Sequence, residues 1–430
     1  MKPLGLTLIA ALLAVPLIWV PDLMAKHSPV AVFSQLLGIW ALIAMATGQA
    51  MATRFGAIER LFGGLDRVYV LHKWLGIAAL ALILLHDTID AEIDGLPGNR
   101  VLEEIGDTLG EISLYGILIL VVITVATFIP YHLWRWTHRI IGVFFVTGAL
   151  HYLLIIKPFA NGDPLGLYVG TICLIGTLAA LYRALPARLR PTHGYRITEA
   201  ETLGPVTAIT LAPEGRGLSH RAGQFANITV DGGEAHPFTI SAAPNDARHL
   251  RMSISALGDD TTRLQSRLAP GQNVRLEGPH GRFFPSKSGP RIWIAGGIGI
   301  TPFLAWVGAM NEGDPATTLY YCVKSEAEAA HLSELQAAAA RLPNLSLILW
   351  ESRTQGRLSA AQITANHRDL TTAHVAFCGP TPMRDALQIA LGKEGLTPRR
   401  FHYEAFEFRT GVGLATLSEW LLTRLRDRMN

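Results

Sequence analysis

HKWLGIAALALILLH (72–86) and HRIIGVFFVTGALH (138–151) are two apolar runs, each opened and closed by a histidine. His72, His86, His138 and His151 are the four histidines inside the apolar spans of the first half of the chain. The first pair is 14 residues apart and the second 13, which is roughly 20 Å along a helix axis at about 1.5 Å per residue. Fourteen residues is close to four turns of about 3.6, so His72 and His86 share a face; thirteen is expected to fall near the same register. Ionisable side chains at membrane depth mark function by default. Two such helices side by side would hold two metal centres stacked across a bilayer, each between one imidazole from each helix. That is the geometry of a bis-histidine dihaem wire.

Around these runs the composition splits. The 430 residues are 50% hydrophobic and 17% charged, an average over two unlike halves. Six apolar stretches fall near 4–20, 30–52, 70–90, 112–130, 134–156 and 164–183, each long enough to cross a hydrocarbon core of about 30 Å. Basic residues gather on one side: Lys2, Arg54, Arg60, Arg67, Arg135, Arg139, Arg183, Arg188 and Arg190. The other side has Lys26, Arg100 and Lys157, and an acidic loop with Asp90, Glu92, Asp94, Glu103, Glu104, Asp107 and Glu111. The positive-inside rule then puts the N-terminus and everything after Arg183 in the cytoplasm. Segment 1–20 has the charged start of a signal peptide. No small-x-small cleavage site precedes Lys26, so it is read as an uncleaved first span.

The net charge of +3 follows from this inside bias and implies no nucleic-acid partner. The three cysteines, Cys173, Cys322 and Cys378, are one short of the four thiolates a plant-type iron–sulfur cluster needs. A fused ferredoxin is thereby excluded, and no EF-hand pattern is present. A short linker, LPARLRPTHG (185–194), leads out of the membrane half (1–184).

From 195 to 288, alternating runs such as FANITV between glycine turns read as an antiparallel β-barrel. It contains AGQF (222–225), HPFTISAAP (236–244), GDDT (258–261) and GPHGRF (278–283). From 289 to 409, apolar strands alternate with helices, the pattern of a parallel sheet. Its first unit is a strand, then Gly296, Gly297 and Gly299, then Thr301 and Pro302 opening a helix. Glycines let backbone amides approach a pyrophosphate, and a helix N-terminus favours the anion. CGPTPM (378–383) follows a later strand and FHYEAFEFR (401–409) closes the domain. In 410–430 Leu414, Leu417, Trp420, Leu421, Leu422 and Leu425 recur as in an amphipathic helix. That tail reads as a cap on the nucleotide domain or, with Arg424, Arg426 and Arg428, as a membrane-surface helix.

As an ordered set, the soluble motifs resemble the ferredoxin–NADP reductase superfamily. The whole chain resembles a bacterial member of the NADPH oxidase and ferric reductase superfamily. The expected fold is a membrane all-α six-helix bundle, then a flavin-binding antiparallel β-barrel and an α/β nucleotide-binding domain. The resemblance implies two haems b, FAD and NADPH, with NADH possible. It makes His72, His86, His138 and His151 the haem ligands, pairing His72 with His138 at the cytoplasmic haem and His86 with His151 at the outer one. It casts Phe144 as an aromatic between the haems, Phe238 as the ring that stacks on flavin and Thr239 as the partner of flavin N5. His236 replaces the usual leading arginine. Pro237, Ser241, Gly258, Thr261 and Gly281 complete the flavin set. Gly296, Gly297, Gly299, Thr301, Pro302, Cys378, Gly379, Pro380 and Met383 form the nucleotide set. Cys378 and Glu404 would stand at the nicotinamide with an aromatic, Phe406 or Phe408. Lys324-Ser325 and Ser352-Arg353 follow the second and third strands of the sheet, where Arg353 would meet a 2′-phosphate.

The implied activity is transmembrane electron transfer from cytoplasmic NAD(P)H to an extracytoplasmic acceptor, O2 giving superoxide ahead of a ferric or cupric chelate. The expected setting is the bacterial inner membrane, multi-pass, with the lipid bilayer as partner and no obligatory protein subunit. With no calcium domain visible, turnover is expected to be constitutive. A nucleotide-regulated sensor or transporter, and a quinone-linked dihaem cytochrome, are the alternatives of other classes.

Overall fold

The computed structural model describes residues 2–89, 99–125, 131–186, 189–231, 233–256, 259–367 and 369–404. The chain divides into two compact units after Pro186.

In the first unit six helices are long and apolar enough to cross a membrane: Pro3–Met24, Pro29–Ala52, Leu65–Thr88, Arg100–Thr124, Trp136–Leu154 and Pro164–Ala184, called here spans 1 to 6. Span 2 is the most enclosed. Its buried Ala31, Ala41, Ala44, Ala46 and Gly48 let neighbouring backbones approach closely, as lipid-immersed helices require. Spans 3 and 6 pack on it, and span 5 packs on span 4. Trp40 Nε1 and the Tyr168 hydroxyl each donate to span 1, at Leu13 O (2.8 Å) and Leu12 O (2.7 Å).

Two details differ from the sequence reading. Span 4 starts at Arg100 rather than near 112, so Glu103, Glu104, Asp107 and Glu111 ride on helix. Asn99 Oδ1 accepts the backbone N–H groups of Val101 and Leu102 at 3.1 and 3.4 Å, and carboxylates suit a helix N-terminus. Span 5 is not one even helix, because Tyr131–Arg139 and Ile141–Leu154 meet at Ile140. There Ile140 N–H donates to Thr137 O and Val143 N–H to Ile140 O, at 3.0 and 2.8 Å. Thirteen residues of unbroken α-helix rotate by about 220°, so His138 and His151 do not share a face by period alone. The three-residue bonds at Ile140 tighten the winding between them.

The second unit holds two sheets. Strands β1 (His193–Leu203), β2 (Val206–Pro213), β3 (Phe225–Val230), β4 (Ala235–Thr239), β5 (Leu250–Ser255) and β6 (Asn273–His280) run in the order β4-β3-β6-β1-β2-β5, with antiparallel pairs throughout. An Ile240–Met252 bridge ties the end of β4 to β5 and brings the sheet's two edges together. Tyr195, Ile197, Ile209, Leu211, Ile228, Ile254 and Leu276 fill the barrel.

Strands β7 (Arg291–Gly296), β8 (Thr317–Val323), β9 (Leu345–Glu351), β10 (His374–Cys378) and β11 (Phe401–Tyr403) form a parallel sheet in the order β11-β10-β7-β8-β9. Buried apolar side chains fill β7, as expected for a strand covered on both faces. The order reverses at β7, which opens a crevice beyond the carboxyl ends of β7 and β10. Trp293, Phe303, Trp306 and Phe283 pack ring on ring in the core beside this sheet. Trp306 Nε1 donates to Ala222 O (3.2 Å), fastening this sheet's core to the barrel.

Candidate haem and dinucleotide sites

The span histidines are held by backbone oxygen. Nδ1 of His72 lies 3.1 Å from Gly48 O, Nδ1 of His86 2.8 Å from Ser34 O, and Nδ1 of His151 2.8 Å from Gly106 O. A carbonyl only accepts, so in each ring Nδ1 carries the hydrogen and Nε2 keeps a lone pair for a metal. His86 has a second neighbour, Ser34 Oγ at 2.9 Å. His138 differs: its Nδ1 is buried without a hydrogen-bond partner among the described residues, and its ring stacks on Trp134 at 5.3 Å.

The rings of His72 and His138 lie with centroids 6.1 Å apart and planes at 74°, an edge-on arrangement. Two metal–nitrogen bonds of about 2 Å, plus a ring radius of about 1 Å on each side, span about 6 Å. The 6.1 Å separation is thus of the size that one iron between two imidazoles would require. Among the described residues no three His, Cys, Asp or Glu converge, so a metal between these two imidazoles would need further donors from a bound group, as a porphyrin supplies. Space beside the imidazoles comes from glycine. A Cβ at Gly38 would stand 3.3 Å from His86 Nε2, and one at Gly110 2.8 Å from His151 Nδ1. Gly116 makes room for the ring of Phe144, whose carbonyl accepts Ser113 Oγ at 2.8 Å.

In the barrel, His236, Pro237, Phe238 and Thr239 form β4 opposite β3, with Phe238 across from Ala226 and Thr239 across from Phe225. Phe238 is half-buried against the barrel core and lies 6.4 Å from the His236 ring, nearly parallel. Thr239 and Ser241 are buried. Ser241 Oγ donates to Arg251 O at 3.1 Å. The sequence reading did not single out Asn227, yet it is buried opposite Pro237 with no acceptor for its Nδ2 among the described residues. A buried amide in that state suits a polar ligand such as a flavin. An Asn inside the apolar run FANITV was the only signal. Gly258, Phe406, Phe408 and the tail 410–430 lie outside the described residues, as does the side chain of Thr261.

At the crevice the two glycine turns interlock. A Cβ at Gly299 would strike Cys378 O, and one at Gly296 would meet Pro380, Gly379 and Met383. Gly297 has a positive φ of 56° and open space above it. Thr301 Oγ1 donates to Ile298 O at 3.1 Å and is buried with Pro302, so both shape the helix start. Glu404 follows β11 and sits against the barrel's Gly281, where a Cβ would lie 3.1 Å from its Oε1. Burial, then the charge of Glu404, push the Cys378 thiol well above its ordinary value, so it stays neutral. Cys378, Glu404, Gly281 and the Gly296–Gly299 turn are thus neighbours. Arg353 stands apart after β9, 67% exposed, 3.7 Å from Glu328.

Residues 37–149 match the family of the ferric reductase like transmembrane component, a range holding His72, His86 and His138 and ending two short of His151. Residues 293–388 match the oxidoreductase NAD-binding domain. The chain joins a ferric-reductase-like membrane half to an NAD-binding oxidoreductase half. Its dehydrogenase half is similar to the ferredoxin–NAD(P)+ reductase component of the naphthalene 1,2-dioxygenase/salicylate 5-hydroxylase systems of a Ralstonia species, 29% identical over 45% of this chain and 62% of that protein. The haem-dependent oxidative N-demethylase beta subunit of Ectopseudomonas mendocina is 30% identical over 43% of this chain and 59% of its own length. The chain spans about three-fifths of these curated relatives. Among solved structures, the FAD/NAD-binding domain of nitric oxide dioxygenase from Vibrio cholerae has a TM-score of 0.46 at 23% identity, covering 50% of this chain and 99% of that one.

Sequence reasoning counted Lys157 as loop charge, but the structure buries it. Its Nζ donates to Tyr152 O at 2.8 Å and lies 4.6 Å from the Tyr152 ring centroid. Burial pushes the ammonium down to about 8.

Proposed function

We propose that the protein moves electrons from cytoplasmic NAD(P)H through FAD and two haems b to a one-electron acceptor outside the membrane, with O2 reduced to superoxide. One observation carries the reading: the rings of His72 and His138, on two different spans, lie 6.1 Å apart, a separation that suits one iron between two imidazoles. When bound, flavin turns a two-electron hydride donor into single electrons, which haems pass one at a time.

The chain's residues take the following parts. His72 with His138, and His86 with His151, hold the haems, and Gly48 O, Ser34 O and Gly106 O fix three of those rings. Phe238 would stack on the flavin, Thr239 and Ser241 would line its edge, and the Gly296–Gly299 turn would bind the pyrophosphate. Cys378 and Glu404 would bound the nicotinamide, with the buried thiol neutral. NADPH is the expected donor, with NADH accepted. A second reading, reduction of cationic ferric or cupric species, draws on Glu103, Glu104, Asp107 and Glu111, which stand on the turns of span 4 that carry Gly106 and Gly110.

The test is NAD(P)H oxidation by purified protein supplied with haem and FAD, read with cytochrome c and ferric chelates side by side. Cytochrome c reduction abolished by superoxide dismutase is expected. Dismutase-insensitive reduction, faster on ferric chelate than on oxygen, would overturn the oxygen reading in favour of the second. Absence of any haem band would sink both.

A further inference from the structure

A chain of polar side chains crosses from the barrel to the nucleotide domain, and of its members only Ser241 enters the flavin reading. Ser253 on β5 is 3% exposed, and its Oγ lies 2.9 Å from Nε2 of His331. His331 Nδ1 lies 3.4 Å from a carboxylate oxygen of Glu334. Arg251, two residues before Ser253, donates from Nη1 and Nη2 to both oxygens of Glu334 at 2.8 and 3.0 Å. The same guanidinium donates to Ser241 O at 3.1 Å and to Ser241 Oγ at 3.3 Å. Ser241 Oγ is 3.2 Å from Ser253 Oγ, which closes the network.

Its placement is what matters. Ser241 lies two residues after Thr239, and its N–H donates to Arg251 O at 2.7 Å, so the flavin strand ends in this network. His331 caps the helix Leu332–Arg341, which follows the β8 end where the nucleotide's adenosine half is expected. Its backbone is left-handed, φ 59°, a state histidine adopts more readily than most side chains. Burial works against the Glu334 charge, yet the bonds from His331 and Arg251 hold its carboxyl down to about 2. A seam needing only adhesion is filled more cheaply by apolar residues; a satisfied polar network fixes one alignment.

We propose that Ser253, His331, Glu334 and Arg251 are positioning residues that set the flavin strand against the nucleotide domain at the distance hydride transfer requires. The inference rests on the NAD(P)H-to-flavin reading above. In that step the nicotinamide C–H bond breaks and its hydrogen and electron pair pass to the flavin, leaving oxidised nicotinamide. Misplacement by about 1 Å is enough to slow such a step about 100-fold.

The test is anaerobic stopped-flow reduction of flavin in the full-length, FAD-loaded protein by NADH and by NADPH. His331→Ala is expected to lower the limiting rate by about 10- to 100-fold, with flavin content unchanged and half-saturation within about twofold. His331→Gln, whose amide reaches toward Ser253, is expected to recover most of the rate. Ser253→Ala combined with His331→Ala should be no slower than His331→Ala alone, because the two act as one unit. Should His331→Ala fail to hold FAD, Ser253→Ala alone carries the same comparison. If the unmodified protein's flavin is reduced by neither nucleotide, the hydride reading falls. If it is reduced and the variants match its limiting rate, or only half-saturation changes, the positioning role is overturned.

Discussion

Replacing Gly110 by alanine tests the haem reading with a single methyl group. The new Cβ would stand 2.8 Å from His151 Nδ1 and 3.0 Å from its Cε1, where about 3.5 Å is an ordinary separation. The imidazole must therefore retreat by roughly 0.7 Å. It has little freedom to do so, because Nδ1 is bound to Gly106 O at 2.8 Å. A metal–nitrogen bond tolerates about 0.2 Å of error, so the displacement exceeds that severalfold. Disturbing the outer partner of a ligating histidine typically lowers metal affinity about 10- to 100-fold. Collapse of the helix is not the expected result, since Gly→Ala favours a helix by about 1 kcal/mol. The assay is haem and flavin content of purified protein, by pyridine haemochrome absorbance and released FAD. Gly110→Ala should hold one haem per chain in place of two, with flavin unchanged. Gly76→Ala is the matched control: it lies on the span of His72 and His86, and its Cβ would meet nothing within 4 Å. Two haems with unaltered spectra in Gly110→Ala would refute the placement of a haem on His151.

Three other outcomes are expected. His72→Leu and His138→Leu should each remove the same haem and leave the same residual spectrum, while His86→Leu and His151→Leu remove the other; matching low-temperature difference spectra within each pair is the check. Arg353→Ala should raise KM for NADPH about tenfold and leave that for NADH unchanged, without lowering Tm, since its partner Glu328 is 3.7 Å away and the pair is exposed. Burial, then Glu404, raise the Cys378 thiol well above its ordinary 9.0, and burial takes Cys322 to about 12. Both folded values are raised, so the folded state keeps protons the unfolded chain releases; this contribution to stability is whole below pH 9 and falls as pH rises past it. Thermal unfolding should weaken between pH 9 and 11, a paired Cys322→Ala and Cys378→Ala change should flatten that decline, and iodoacetamide should label neither thiol of the folded protein below pH 9.

The six spans, the barrel and the parallel sheet were legible because each rests on a pattern of residue types: apolar runs of membrane length, alternation between glycine turns, and a glycine turn between strand and helix. The histidines were legible because imidazole at membrane depth has few structural uses. What escaped depends on partners far along the chain. The start of span 4 at Arg100 was hidden because its first turns carry Glu103, Glu104 and Asp107, which a hydropathy reading assigns to a loop. The winding at Ile140 leaves no mark in composition. Ser253 and His331 are 78 residues apart, and neither residue type announces the other.

The same division runs through the candidate haem sites. Ligation needs an imidazole, so a substitution there is visible in the sequence. Orientation of that imidazole comes from Gly48 O, Ser34 O and Gly106 O, and a carbonyl is present whatever the side chain. Only the need for room shows, as glycine at 38, 48 and 110, and glycine has many other reasons to be in a membrane helix. His138 is the ring without such a carbonyl among the described residues, resting on Trp134 instead. A histidine whose Nδ1–H is bound to a carbonyl is a more basic ligand and favours the oxidised metal. Of the two sites, the one pairing His86 with His151 has both rings supported in this way, and the one pairing His72 with His138 has one. The sequence therefore names the four candidate imidazoles, while the backbone oxygens that hold three of them show only in the structure.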